Sequence, residues 1–525
     1  MSSPIASRAD APASLRGVLV VDLGTQYAQL IARRVREARV WCEIAPPRRA
    51  LEVARRMDLA GIILSGGPAS VYAPDAPQIP VELLSLGVPV LGICYGLQWM
   101  TQALGGQVQA ADKREFGRTS IAITRPTGIF EHIEGHTVVW MSHGDSVSRP
   151  PEGFEVLGRS ENCEYAAIGD AARRLYGIQF HPEVTHSVRG REVLANFVHQ
   201  VCGLPGDWAP ENIVELEIGK VARQVGQGEV VMGLSGGVDS SVAALLIQRA
   251  IGPRLHCIFV DNGLLRQGER AEVERLFRDH FQLDLTVVDA GARFLRRLAG
   301  VTDPEEKRKR IGHEFVEVFR EEARRFRNAK FLGQGTLYPD VIESVAAHGG
   351  STAVIKSHHN VGGLPKDLEL GLVEPLRDLF KDEVRTIGRS LGLPPAVVDR
   401  QPFPGPGLAV RVLGEVTPER AELLRRADAI VTSEIERVGA HVGLWQYFAV
   451  LLPVKSVGVM GDARTYEATC ALRLVESEDA MTADWAYLPR DLLARISNRI
   501  INEVRGINRV VLDISSKPPA TIEWE

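Results

Sequence analysis

The stretch Gly233-Leu234-Ser235-Gly236-Gly237-Val238-Asp239-Ser240-Ser241 lies between an apolar run, Val230-Val231-Met232, and the helix-favouring Val242-Ala243-Ala244-Leu245-Leu246-Ile247. It reads as a strand, a glycine turn and a helix start, the repeating unit of an open α/β sheet. Two glycines let backbone N–H groups approach an anion, and the hydroxyls of Ser235, Ser240 and Ser241 add donors. The helix N-terminus supplies positive potential. The loop is expected to hold a phosphate group.

A triphosphate loop of the Gly-Lys-Ser/Thr type is excluded, because no lysine occurs between Lys220 and Lys307. Ser-Gly-Gly-x-Asp-Ser instead resembles the pyrophosphate loop of the ATP pyrophosphatases, which cut ATP between the α- and β-phosphates and adenylate an oxygen of their substrate. The plainer alternative, a Gly/Ser turn, would leave six motif positions to chance. Two further strands end in the same style, Cys257 to Val260 in Asp261-Asn262-Gly263 and Phe331-Leu332 in Gly333-Gln334-Gly335-Thr336. Ligands of open α/β sheets bind at such strand ends. Ser235 to Ser241, with Val238 among them, are therefore expected at the ATP phosphates. Val260 and Gly335 are expected at adenine and ribose, and Asp239 beside a magnesium ion carried with ATP. Asn262 and Gly263 read equally well as turn chemistry.

Upstream, Gly17 to Asp22, Gln29 to Val35 and Gly61 to Ser65 alternate strand, helix and strand. Val88 to Ile93 then runs into Cys94-Tyr95-Gly96, and Leu97 opens a helix. A cysteine at such an elbow is exposed at the carboxyl end of the sheet, and the helix N-terminus favours its thiolate. A buried structural cysteine is the bland alternative. After the strand Tyr176 to Phe180 comes His181-Pro182-Glu183, a base and a carboxylate two residues apart.

Together, Gly-Ile-Cys-Tyr-Gly and Gln-Phe-His-Pro-Glu resemble the class I glutamine amidotransferases over residues 17–205. The resemblance implies that Cys94 attacks the glutamine amide, His181 moves the protons and Glu183 orients His181. It implies an oxyanion hole at Gly67, in Ser65-Gly66-Gly67-Pro68, and at the Tyr95 amide. Gln98 is expected to grip glutamine. His143, in Ser142-His143-Gly144-Asp145, belongs by resemblance to a substrate-binding segment rather than to the proton relay.

The bulk numbers are compatible with this. A chain of 525 residues exceeds one hydrophobic core. A net charge of -5 speaks against nucleic acid as a partner, so anionic substrates must meet local cations. The six scattered cysteines show no zinc or redox spacing, which fits a reduced, cytoplasmic setting. Residues 86–111 lack charge but are broken by glycines and glutamines, so no membrane association is expected. Residues 1–16, rich in Ser, Ala and Pro, are expected to be a disordered tail.

Beyond residue 300, Lys307-Arg308-Lys309-Arg310 reads either as a solvated helix face or as a phosphate site. Asp340 and Glu343 share an i, i+3 spacing open to a metal or pyrophosphate role. Lys381 is either a cation reaching ATP or half of a surface pair. The adjacent His358-His359 point apart and make no zinc site. Pro402 to Gly407 marks a boundary, followed by a helix at 418–437 and strands near 446–459.

The whole pattern, ending in Lys517-Pro518-Pro519-Ala520-Thr521-Ile522-Glu523-Trp524-Glu525, is similar to the glutamine-hydrolysing GMP synthases. That resemblance implies a flavodoxin-like amidotransferase domain (17–205) and an adenine-nucleotide α-hydrolase-like pyrophosphatase domain (206–402). Both would be doubly wound, mostly parallel α/β sheets. A C-terminal α+β domain (403–525) would close over xanthosine monophosphate and form a homodimer. By the same resemblance, Arg308, Arg509 and Lys517 would meet the nucleotide phosphate, while Gln446, Ile522 and Glu523 would contact the purine. Ser516 stands where the family commonly has glycine. The substrates would be glutamine, ATP and xanthosine monophosphate. Related enzymes, a glutamine-dependent NAD synthetase or a tRNA-thiolating enzyme, would need a different ammonia domain or extra cysteines. A nucleotide sensor would lack the nucleophile or the base.

Overall fold

Apolar runs become the innermost strands. The computed structural model describes residues 15–25, 27–74, 76–341, 370–460, 463–477 and 482–525. The expected tail lies outside them up to residue 14, as do Glu343, His358 and His359. No described helix is long and apolar enough to cross a membrane. The chain divides into two units, Met1–Asn212 and Ile213–Glu525.

In the first unit, β1 (Arg16–Val21), β2 (Trp41–Ala45), β3 (Asp58–Leu64), β4 (Val90–Ile93) and β9 (Leu175–Ile178) are parallel, in the order β2-β1-β3-β4-β9. Val18 to Val21 are fully buried, as crossover-covered strands require. Helices α1 (Ala28–Glu37), α2 (Pro47–Arg56) and α3 (Tyr95–Ala103) supply crossovers, and α4 (Gly190–Asn196) follows the last strand. The parallel half matches the expected doubly wound sheet. Beyond β9 the sheet continues antiparallel through β8 (Ala167–Asp170), β7 (Glu155–Arg159), β5 (Gln107–Ile123) and β6 (His136–Arg149), which the strand–helix alternation did not predict.

Close backbone approach sets the position of α3. A Cβ at Gly96 would lie 2.4 Å from the Leu64 carbonyl oxygen, and one at Gly177 would lie 2.3 Å from Leu97 Cδ1. Only glycine lets the helix sit directly on the strand ends.

In the second unit, α5 (Pro210–Val225) leads to a parallel sheet in the order β12-β11-β10-β13-β14. Its strands are β10 (Glu229–Gly233), β11 (Leu255–Asp261), β12 (Asp284–Asp289), β13 (Ala329–Gly333) and β14 (Gly371–Val373). Around it run α6 (Val238–Ile251), α7 (Glu269–Val273), α8 (Gly291–Leu298), α9 (Pro304–Ala323) and α10 (Lys381–Ser390). A third sheet pairs β15 (Gln446–Met460), β16 (Ala463–Glu476) and β17 (Asp484–Trp485) antiparallel, with β18 (Ile507–Asp513) parallel to β16. Helices α11 (Pro418–Arg437) and α12 (Arg490–Glu503) cover it, the expected α+β arrangement. One core joins the parallel sheet's helices to this layer: Phe294, Leu298 and Ile311 pack in the same cluster as Leu424, Val431, Ile496 and Ile500. Pro402 to Pro406 forms neither helix nor strand, and Gly407 opens a short 3-10 helix, Gly407–Arg411, yet the elements on both sides of the segment share that core.

Gly96→Ala is expected to cost the first unit about 1–3 kcal/mol in urea unfolding, because the backbone oxygen of Leu64 cannot rotate away. An unchanged midpoint would show that α3 can slide.

Candidate active sites

Cys94 closes β4 and caps α3 with φ 51° and ψ -105°, a left-handed φ that a non-glycine residue adopts only under constraint. Its amide is held by the Ile178 carbonyl at 2.8 Å, and the Gly96 amide donates to Ser65 O at 3.1 Å. The elbow is thereby fixed from both sides. Cys94 is 6% exposed, His181 4% and Glu183 0%.

His181 hydrogen-bonds the Cys94 sulfur, and its Nδ1 lies 2.7 Å from Glu183 Oε1. Burial opposes the imidazolium, but the sulfur and the carboxylate outweigh it and hold the His181 pKa up, to about 10. The structure thus brings the three expected residues together as an ordered relay. Gly66 lies against the same pair: a Cβ there would be 3.0 Å from His181 Cε1 and 3.8 Å from Cys94 Cβ. Gly67 sits beside Tyr95, its would-be Cβ 3.4 Å from Tyr95 Cγ and 2.8 Å from Leu23 O. The Tyr95 amide opens α3 directly after Cys94.

Gln98 Nε2 donates to Asp145 O at 2.8 Å and to Gln179 Oε1 at 3.3 Å, and Gln179 Nε2 reaches the Cys94 sulfur at 3.6 Å. Sequence reasoning overlooked Gln179. Its signal was its place two residues before His181, directly after β9. It also missed two supports: Arg34 Nε donates to Glu183 O at 3.0 Å, and Ser187 Oγ donates to His181 O at 2.5 Å. His143 does not join the relay. It faces Glu115 across the β5–β6 pair and leaves Ser142 O 3.8 Å from the Cys94 sulfur.

In the second unit the glycine loop follows β10 as expected. Gly236 has φ +76°, and Gly237 caps α6. The hydroxyls order the loop: Ser235 Oγ and Ser240 Oγ lie 2.9 Å apart, the Gly237 amide donates to Ser235 Oγ at 3.4 Å, and Ser241 Oγ donates to Gly237 O at 2.6 Å. Val238 and Ser241 are buried, while Ser235 is exposed. Gly335 abuts the loop, its would-be Cβ 3.2 Å from the Asp239 carbonyl carbon. Val260, half-buried at the end of β11, packs against the core.

Lys381 Nζ lies 2.6 Å from Asp239 Oδ1, so the expected cation has a partner 142 residues away instead of a helical neighbour. The Asp239 carboxylate already faces a positive charge at the phosphate loop. A single hard oxygen donor there fits a magnesium ion that takes its other ligands from phosphates and water. Asn262 Oδ1 accepts from the Leu264 amide at 2.9 Å, which is turn chemistry. Asp340 Oδ2 accepts from the Leu337 amide at 3.1 Å.

The basic cluster divides. Lys307 is fully buried and donates to Val412 O at 2.8 Å and to the Glu525 carboxylate, and Arg308 donates to the Glu525 main-chain oxygen. Arg310 forms a surface pair with Glu306 at 2.7 Å. Gln446 Nε2 lies 3.2 Å from Glu523 Oε1, and buried Arg411 holds Glu523 at 2.8 Å. Ile522 instead turns into a small core with Phe448, Val450, Ala471 and Val475, because it is the tail's apolar anchor. The residue is 8% exposed. Lys517 pairs through its backbone with Ala483, and Arg509 reaches Val457 O at 3.4 Å on β15. Arg473, also unread in the sequence, donates to Ser515 O, Thr521 O and Ile522 O and ties the tail to β16.

Three family models match: glutamine amidotransferase class I at residues 19–201, NAD synthase at 212–289 and the GMP synthase C-terminal domain at 433–524. The glutamine-hydrolysing GMP synthase of Brachyspira hyodysenteriae is 58% identical over 508 residues, 97% of this chain and 99% of that protein. That of Thermomicrobium roseum is 58% identical over 513 residues, covering 98% and 97%, and that of Haemophilus influenzae 56% over 515 residues, covering 97% and 98%. A solved glutamine amidotransferase from Thermotoga maritima is similar over 36% of this chain and 99% of its own, at 19% identity and a TM-score of 0.30. Full-length identity of this order leaves one reading: the chain belongs to the glutamine-hydrolysing GMP synthases.

Proposed function

We propose that this enzyme aminates xanthosine 5'-monophosphate to GMP, using ammonia released from glutamine and activation by ATP, in the cytoplasm. The observation that carries the glutaminase half is the buried Cys94–His181–Glu183 relay, with Gln98 and Gln179 beside the sulfur. Cys94 attacks the glutamine amide carbon, and the Gly67 and Tyr95 amides receive the oxyanion. His181 gives its proton to the departing nitrogen, and ammonia leaves. His181 then takes a proton from water, which hydrolyses the glutamyl thioester and frees glutamate.

In the other unit, the amides and hydroxyls of Ser235 to Ser241 cradle the β- and γ-phosphates, with Val260 and Gly335 towards adenine and ribose. Magnesium bound at Asp239 with ATP supplies neutralisation of the leaving pyrophosphate. Lys381 exchanges its Asp239 partner for a phosphate oxygen. The xanthine 2-oxygen attacks the α-phosphorus, pyrophosphate departs, and ammonia then displaces AMP from carbon 2. Adenylation is needed because a purine oxygen leaves poorly and AMP leaves well. Arg308, Arg509 and Lys517 bind the nucleotide phosphate. Gln446, Ile522 and Glu523 address the purine. The functional division runs 17–205, 206–402 and 403–525. The last part also forms a homodimer, supported by the exposed Val457, Val459 and Tyr466 on the β15–β16 hairpin.

Cys94→Ala is expected to abolish AMP release driven by glutamine while keeping release driven by ammonium salts. Loss of both would sink the two-site reading. Asp239→Ala should depress AMP formation with either nitrogen source, and a variant impaired with glutamine alone would move Asp239 out of the ATP site.

Glu183→Gln is expected to lower glutamine-driven turnover by about 10²–10⁴-fold. Because the folded pKa of His181 is raised from 6.5 to about 10, its contribution to stability is complete below 6.5 and is lost as pH rises towards 10. The stability gap between the intact chain and Glu183→Gln should therefore shrink across that window. A gap that widens with pH contradicts the assignment.

A further inference from the structure

The β5–β6 pair carries a second constellation that neither the glutaminase relay nor the nucleotide site uses. Glu115 and His143 stand directly opposite each other in the antiparallel register. Cys163, from the turn between β7 and β8, completes the group: the three ligating atoms lie within 4.8 Å of one another, and all three residues are at least nine-tenths buried.

The hydrogen bonds make this more than proximity. His143 Nδ1 lies 3.1 Å from Asp145 O, an acceptor only, so Nδ1 carries the proton and Nε2 presents a lone pair in the neutral ring. That Nε2 is buried without a hydrogen-bond partner, 3.3 Å from Glu115 Oε2. Two acceptors facing each other in a buried site need a positive charge between them. Ser160 Oγ donates to Glu115 at 2.9 Å and Asn162 Nδ2 at 3.4 Å, holding the carboxylate in place. The Tyr165 amide hydrogen-bonds the Cys163 sulfur. An imidazole whose far nitrogen binds a backbone carbonyl, and a carboxylate held by outer donors, are the supports that metal ligands receive.

We propose that Glu115, His143 and Cys163 bind a divalent cation of the zinc class, with a water in the fourth position. One imidazole nitrogen, one thiolate and one carboxylate suit zinc better than magnesium or calcium, which prefer oxygen alone. On its outer side Glu115 borders an open depression lined also by Ser160, Asn162, Arg114, Arg118 and Arg159. Binding replaces the Cys163 thiol proton, which is released to solvent. The cation fastens β6 at the segment whose Ser142 carbonyl faces the Cys94 sulfur and whose Asp145 carbonyl holds Gln98, so it is structural to the glutamine pocket and takes no part in the chemistry.

The test uses the full chain with Cys94→Ala, which removes the competing thiol. After chelator dialysis, zinc or cobalt is added and free metal removed by gel filtration. One zinc per chain by elemental analysis, with a near-ultraviolet thiolate-to-cobalt band, is expected. Cys163→Ser should abolish the band, and Ser160→Ala, which spares all three ligands, should weaken zinc binding about 10–100-fold. A chain that folds and retains no zinc, or a band unchanged in Cys163→Ser, overturns the proposal and leaves a proton between His143 and Glu115.

Discussion

The first unit depends on one backbone conformation, the left-handed φ of Cys94. A side chain held in that region costs about 1–3 kcal/mol and persists only where its surroundings leave no alternative. Here the alternatives are removed by hydrogen bonds to Ile178 and Ser65 and by glycines that let α3 rest on backbone. The strain points the sulfur out of the sheet towards His181. The Cys94 sulfur and Glu183 together keep the imidazole charged in a buried place, where burial alone would neutralise it.

The second unit solves a different problem, holding a Pro-rich tail that has neither helix nor strand of its own. Buried Arg473 donates to three tail carbonyls, and buried Arg411 grips Glu523, while Lys307 holds the side chain of Glu525. Arg473 and Lys307 recover lost hydration through several acceptors, while Arg411 pairs with both Glu523 oxygens and lies over the Phe448 ring. Removing one partner would leave the other buried and uncompensated.

These two solutions explain what could be read from the sequence. The elbow around Cys94, His181-Pro182-Glu183 and the Ser235 to Ser241 loop are local: a few consecutive residues encode both the turn and its chemistry. Their surroundings are not local. Gln179 joins Gln98 across 81 residues, Lys381 finds Asp239 across 142, and Lys307 meets Glu525 across 218. No spacing rule reaches so far, and strand pairing or core packing makes the contact. The same reason hid Glu115, His143 and Cys163, whose cysteine spacing carries no metal signature. The antiparallel half of the first sheet was unread because β5 is polar along much of its length. Ile522 was assigned to the purine by resemblance, and its packing against Phe448 and Val450 was equally out of reach of any spacing rule.

The pairing of Lys381 with Asp239 holds two distant segments together at the glycine loop. The lysine is 45% and the aspartate 31% exposed, so water and salt screen the pair, and its net worth is within about 1 kcal/mol. Each side chain is nevertheless kept at the loop by the other, with its rotamer already chosen. The two act as reciprocal placeholders: the glycine loop stays ordered and electrically balanced, and a triphosphate bound as proposed would displace only a weak internal contact at little energetic loss.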